Sequence, residues 1–144
     1  METTFESYFE FLGRLGHTLE QLTELARQKA MAVRNDDLME VNECMKQEQV
    51  ISLSLRGMDA KREKMLSELG LEGVPLSGLA SRCPEELRVR AREVSESLRS
   101  KFNVYTSAAD VARTSLECNL HEIEKMMAAT PEAPPMGRFA DIRA

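Results

Sequence analysis

The 144-residue sequence has no tryptophan, only five phenylalanines and two tyrosines, and three cysteines without Cys-x-x-Cys spacing. The low aromatic content disfavours a β-sandwich, whose strands are rich in aromatic and β-branched residues. Cys44, Cys83 and Cys118 are odd in number and far apart. They indicate reduced thiols in a cytosolic protein, and they argue against a disulfide framework or a zinc site.

The chain also lacks an excess of basic residues and any long hydrophobic run. Its 19 Lys and Arg residues face 24 Asp and Glu residues, which gives a formal net charge of −5. This balance argues against nucleic-acid binding, and no run has the length of a transmembrane helix. The first ten residues contain acids and no basic side chain, unlike a signal peptide. We therefore expect a cytoplasmic protein without membrane insertion.

The first long segment has the hydrophobic spacing of an amphipathic helix. Apolar residues recur in alternating steps of three and four from Phe5 to Val33, and the one polar exception is Lys29. This spacing places one apolar stripe on one helix face. Thr3 and Glu6 have the spacing of a capping box, which predicts a helix that begins at Thr3.

A second helix is predicted after the turn-forming residues Asn35, Asp36 and Asp37. Its apolar stripe runs from Leu38 to Leu69. Four polar residues fall near that stripe: Glu48, Ser52, Asp59 and Arg62. They predict a helix that is exposed on much of its surface. The short turn makes the two helices antiparallel neighbours.

A third helix is predicted after a Gly- and Pro-containing break over residues 70–84. No Gly or Pro occurs between Glu85 and Ala129, and the apolar stripe continues there. Residues 130–144 contain three prolines and no periodicity, which predicts a flexible tail. The predicted fold is all-α: an elongated, antiparallel, coiled-coil-like bundle of three helices over residues 1–129, followed by that tail.

Several phrases, in this order, resemble the FlgN-type flagellar export chaperones over residues 12–127. They are Gln28-Lys29-Ala30, Asn35 to Glu40, Gln47 to Ile51, Arg62 to Leu66 with Leu69-Gly70, and Ser115-Leu116. The resemblance implies a non-enzymatic cytosolic chaperone of type III export. Such proteins bind hook-associated subunits of the hook–filament junction, prevent their premature assembly, and deliver them to the export gate and its ATPase. The sequence leaves the choice between a monomer and a homodimer open.

The candidate partner-binding residues are apolar side chains late in the third helix and in the tail, where the hairpin of the first two helices is expected to end. They are Leu116, Leu120, Ile123, Met126, Met127, Met136 and Phe139. Such a stripe suits docking of an amphipathic helix. The methionines of the first two helices are instead predicted to fill the core. These are Met31, Met39, Met45, Met58 and Met65.

Two other functions remain open from the sequence. A structural coiled-coil scaffold would need only the three helices. A histidine phosphotransfer domain would use the phrase Gly16-His17-Thr18-Leu19, but Glu20 follows where a phosphate-binding Lys is wanted. Neither His has a Glu three residues before it, as a di-iron bundle requires. We predict no catalytic residue, no cofactor and no metal ligand.

Overall fold

The computed structural model describes residues 3–118 and 139–143, and these residues contain helices and no strand. The long helices α1 and α2 span Phe5–Arg34 and Leu38–Glu68. A 3₁₀ turn at Leu76–Gly78, the short helix α3 at Leu79–Arg82 and a 3₁₀ turn at Glu85–Leu87 follow. The third long helix, α4, spans Arg88–Cys118, and a short helix, α5, spans Ala140–Arg143. The predicted all-α fold is confirmed.

The N-cap of helix α1 is Thr4, one residue after the predicted Thr3, and the helix itself begins at Phe5. The Ser7 backbone N–H donates to Thr4 Oγ1 at 3.0 Å, and the Thr4 N–H donates to Ser7 Oγ at 2.9 Å. The predicted pairing of Thr3 with Glu6 is therefore wrong, because a serine takes the role that Glu usually has in a capping box. The Thr3 hydroxyl instead donates to the Glu68 carboxylate at 2.9 Å.

The three long helices run up, down and up. The start of α1 meets the end of α2 through Thr3 and Glu68, so these helices are antiparallel. By contrast, α4 is parallel to α1, since Glu20 pairs with Lys101 at 3.2 Å and Glu6 lies 3.9 Å from Arg90. Helix α1 packs against both α2 and α4. This is the antiparallel bundle that the sequence predicts.

The core extends along α1 as three groups of buried side chains. The main core joins aromatic residues of α1 and α4 with leucines from every part of the bundle, and its largest members are Tyr8, Phe9, Phe11, Phe102 and Tyr105. An alanine contact consists of Ala26, Ala30 and Ala112. A turn-end cluster, beside the connection of α1 to α2, consists of Ala32, Val33, Val41, Met45 and Leu116. Small side chains let α1 and α4 approach closely at the alanine contact.

The charged residues in the apolar stripes are buried, whereas Ser52 is half-buried. Glu48, Asp59 and Arg62 of α2 are only 6%, 3% and 4% exposed. Lys29, the exception in the α1 stripe, is buried too, and its Nζ lies 2.8 Å from Glu48 Oε1. The prediction that α2 is exposed on much of its surface is confirmed, because 17 of its 31 residues are exposed. The pattern did not show that Glu48, Asp59 and Arg62 lie on the buried face, where the charges of Lys29 and Glu48 compensate each other.

Residues 139–143 pack on the bundle. Phe139 is 3% exposed and Ile142 is fully buried, and both belong to the main core. Arg62 Nη1 donates to Asp141 Oδ1 at 3.3 Å, and Nη2 donates to Oδ2. This part of the predicted tail is attached, because two apolar side chains and one carboxylate have partners there. For the other tail residues, and for continuation of the third helix past Cys118, the predictions lie outside the described residues.

Candidate partner-binding surface

Two of the seven predicted partner-binding residues lie in the described part of the chain, and both are buried. Leu116 is 8% exposed in the turn-end cluster, and Phe139 is 3% exposed in the main core. In this conformation neither side chain is open to a partner. The other five lie outside the described residues: Leu120, Ile123, Met126, Met127 and Met136.

Leu116 is the last residue of the α4 stripe among the described residues, and it packs against the hairpin of α1 and α2. Helix α1 ends at Arg34, and Leu116 packs with Val33, which is fully buried. Glu117 and Cys118, which follow Leu116, are exposed. The described part of α4 therefore ends within one helical turn of the contact between Leu116 and the end of α1.

An open apolar groove lies elsewhere, between the second half of α1 and α4. We call it the α1–α4 groove, and its volume is about 610 Å³. Its lining residues are Arg27, Ala30, Met31, Arg34, Asn103, Val104, Ser107, Ala108 and Val111. On α1 these positions recur at helical spacing and lie opposite Lys29, which contacts α2. The groove therefore lies on the side of α1 that faces away from α2.

The alanine contact explains why the groove is apolar and open. Ala30 is 2% exposed because α4 approaches α1 closely there. The larger side chains on either side stay outside this contact: Met31 is 59% exposed, Val104 43% and Val111 56%. The prediction that Met31 fills the core is therefore wrong. Met39, at 85% exposure, is also outside the core, whereas Met45 and Met65 are buried as predicted.

The charge of the groove is positive, although the chain as a whole is acidic. Arg27 and Arg34 are exposed, and neither forms an ion pair with another described residue. None of the residues that line the groove is acidic. Toward the N-terminal end of α1, the Glu20–Lys101 ion pair crosses between the two helices. Two arginines thus flank an apolar floor, and no carboxylate of the described residues forms an ion pair with either of them.

Burial raises the pKa of several ionisable side chains in the bundle. Burial raises the pKa of the Tyr105 hydroxyl, and the nearby Glu48 carboxylate raises that pKa further. Burial also raises the pKa of Tyr8, an effect that the adjacent Arg62 guanidinium opposes. Burial, together with the Glu40 carboxylate, raises the pKa of the Cys44 thiol to about 11. This thiol stays protonated at neutral pH and is a poor nucleophile.

The described residues hold neither a metal cluster nor a membrane span. Among them, no group of three His, Cys, Asp or Glu side chains is placed to bind a metal ion. Over the same residues, no helix combines the length and hydropathy needed to cross a bilayer. His17, the candidate phosphorylation site, is exposed on α1. The main feature open to a partner is therefore the surface of the long helices.

Comparison with known proteins decides between an export chaperone, a structural scaffold and a phosphotransfer domain. A family model described as FlgN protein matches residues 1–133, nearly the whole chain. The chain belongs to the FlgN family. Neither the curated proteins nor the solved structures gave a match. Because FlgN proteins are a chaperone family, the protein is a flagellar export chaperone.

The α1–α4 groove is the surface that the sequence analysis missed. Val104 and Val111 are seven residues apart, and each precedes a residue of the main α4 stripe by one position. They form a second, shorter apolar stripe beside the buried one. That repeat was a signal in the sequence, but a stripe of two valines alone does not distinguish an open groove from the edge of a core.

Proposed function

We propose that this chaperone binds hook-associated subunits in the cytoplasm, masks the amphipathic terminal helices through which they assemble, and delivers them to the export gate and its ATPase. The proposed role is binding without catalysis, without a cofactor and without contact with nucleic acid or insertion into a membrane. Masking needs an apolar surface that the chaperone does not cover itself. The observation that supports the proposal is that Leu116 packs with Val33 in the last turn of α1, so that the α4 stripe reaches the end of the hairpin within the described residues.

The hydrophobic stripe of α4 continues in the sequence past that point. Leu116, Leu120, Ile123 and Met127 follow in steps of four, three and four. This is the spacing of one helix face, and it is the spacing by which helices dock in apolar grooves. Neither α1 nor α2 has residues beyond their turn to pack on such a continuation. We propose that a helix of the subunit packs there instead.

The residues proposed to contact the subunit are chemically suited to repeated binding and release. Met126 and Met127 have flexible, polarisable side chains that adapt to different partner surfaces, and Met136 offers the same property in the tail. Segments that become ordered only on binding bind with moderate affinity, because ordering costs free energy. Moderate affinity favours release at the export gate. Phe139 would have to leave the main core to join this surface.

Replacing both Leu120 and Ile123 with aspartate is expected to weaken binding of a hook-associated subunit by about 100-fold or more. Each substitution removes a side chain whose burial contributes about 1.5–3 kcal/mol and puts a charge into an apolar contact. Isothermal titration with the purified subunit measures the affinity, and far-UV circular dichroism checks the helix content.

The matched control is the same pair of substitutions at Val50 and Leu53, which are 69% and 66% exposed on α2. This control adds the same charge to the chain and should leave the subunit affinity within about twofold. Equal binding by the Leu120/Ile123 variant, the control and the unmodified chaperone would reject the proposed surface.

A further inference from the structure

We infer that the α1–α4 groove is a second docking surface, and that its occupant is an amphipathic helix of the exported subunit whose apolar stripe is flanked by carboxylates. Arg27 and Arg34 would pair with those carboxylates, and Met31, Val104 and Val111 would contact the stripe. This inference rests on the proposed function for the identity of the partner. The chemistry of the occupant follows from the groove itself.

The apolar part of the argument is the clustering of exposed side chains. Seven large hydrophobic side chains are exposed among the described residues, and three of them, Met31, Val104 and Val111, line this one groove. Single exposed apolar side chains are ordinary, but a cluster around a concave floor marks an interaction site. Ala30 and Ala108 form that floor, and their short side chains leave room for a partner's larger ones.

The size of the groove fits a short length of helix. On α1 the lining runs from Arg27 to Arg34, a separation of seven residues, or about 10 Å along the helix axis. Two turns of a docked helix have this length. They present apolar side chains at positions i, i+3 or i+4, and i+7. Each of these side chains has a methionine, valine or alanine of the groove to contact.

The charge of the groove selects among amphipathic helices. Arg27 and Arg34 are seven residues apart on the same face, and the groove has no acidic residue to pair with them. Guanidinium groups bind carboxylates in a planar, two-bonded geometry. Exposed pairs contribute little affinity each, but they set orientation and reject the wrong charge. A helix with lysines beside its stripe would be repelled.

The position of the groove connects it with the proposed subunit-binding stripe. Its C-terminal end, at Arg34 and Val111, adjoins the turn-end cluster, which contains Leu116, the last residue of the α4 stripe among the described residues. Both surfaces therefore meet at the same end of the bundle. One subunit with two helical segments can occupy both without leaving the chaperone, which is why we assign the groove to the subunit.

A charge-swap experiment on the full chain tests the inference. Two synthetic 18-residue helical peptides share one leucine stripe, and one has glutamates and the other lysines beside it. The unmodified chaperone should bind the glutamate peptide about tenfold more tightly, and the R27E/R34E variant should prefer the lysine peptide by a similar factor. The R56E/R82E variant has the same net charge, changes exposed arginines outside the groove, and should keep the original preference.

The second part of the experiment measures how the groove variants bind the peptides and a hook-associated subunit. The V104D/V111D variant should lose the preference between the two peptides, because only the α4 stripe is then left to bind them, and R27E/R34E should weaken binding of a hook-associated subunit about tenfold. Unchanged peptide preference in R27E/R34E would overturn the inference. The inference would also be overturned if R27E/R34E and V104D/V111D bind the subunit fully while the Leu120/Ile123 variant does not. That outcome would leave the proposed function intact.

If these groove variants change only the sedimentation coefficient of the free chaperone, the groove is an interface between two copies, and the inference is wrong. If peptides are discriminated but no subunit binds the unmodified chaperone, the proposed function fails, and the assignment to the subunit fails with it.

Discussion

Replacing Lys29 with methionine is expected to lower the free energy of unfolding by about 3–5 kcal/mol, because it leaves the Glu48 charge buried without a partner. The two side chains are only 7% and 8% exposed, and Nζ lies 2.8 Å from Oε1. Water therefore cannot easily replace the missing ammonium group. Urea denaturation followed by circular dichroism measures the loss as a lower midpoint at unchanged slope.

The double variant K29M/E48L separates the pair from its surroundings. It removes both charges together and should be about as stable as the unmodified protein, or more stable, because no charge remains buried. A matched control is R113M, which breaks an exposed pair of 2.8 Å with Asp110 and should cost no more than about 0.5 kcal/mol. If the double variant is as unstable as K29M, the buried pair is not the cause of the loss.

Replacing Phe139 with alanine is expected to lower the unfolding free energy by about 3 kcal/mol. This is the lower end of the usual cost for a buried phenylalanine, because a terminal segment can detach without unfolding the bundle. Phe139 is 3% exposed and packs in the main core beside Ile142, which is fully buried. Thermal or urea unfolding measures the loss, and faster amide exchange in residues 139–143 should accompany it.

The control for this prediction is V89A, since Val89 is 65% exposed at the start of α4 and should change stability by less than about 0.5 kcal/mol. The same variants separate the two roles considered for Phe139. A core residue changes stability and leaves the affinity of the folded chaperone for its subunit nearly unchanged. Unaltered stability together with weaker subunit binding would contradict the packing and return Phe139 to the partner surface.

The fold was predictable because its main signal is local. The steps of three and four in α1 place Leu12, Leu15, Leu19 and Leu22 on one face, and all four are buried. The break at Asn35–Asp37 also matches the structure, where Asp37 caps α2 by accepting from the Glu40 N–H at 3.2 Å. Helical periodicity and capping depend only on residues a few positions apart, so the sequence is enough to identify them.

The errors come from contacts between residues that are far apart in the chain. Lys29 and Glu48 interrupt two apolar stripes, and each alone indicates exposure. Only the register between α1 and α2 places them opposite each other. Likewise, Phe139 follows a Pro-containing segment without periodicity, and its burial depends on a site formed by other helices. Such pairings depend on how elements meet, which a pattern within one element does not determine.

The α1–α4 groove depends on tertiary packing in the same way. Whether Met31 is buried is decided by the position of α4, and that position follows from the close contact of Ala26, Ala30 and Ala112. From the sequence alone, an alanine in a helix is equally compatible with a buried and an exposed position. The partner residues predicted in the third helix lie at the end of its longest apolar stripe, whereas the open groove is lined by a shorter stripe beside it.

The most direct test of the central claim is co-purification of the full-length chaperone with a hook-associated subunit from the same cells, in its intact form and without its C-terminal helical segment. We predict that the intact subunit is retained in a stoichiometric complex and that the truncated subunit is lost. Equal retention of both forms, or retention of neither, would contradict the claim that this chaperone masks the assembly helix of its subunit.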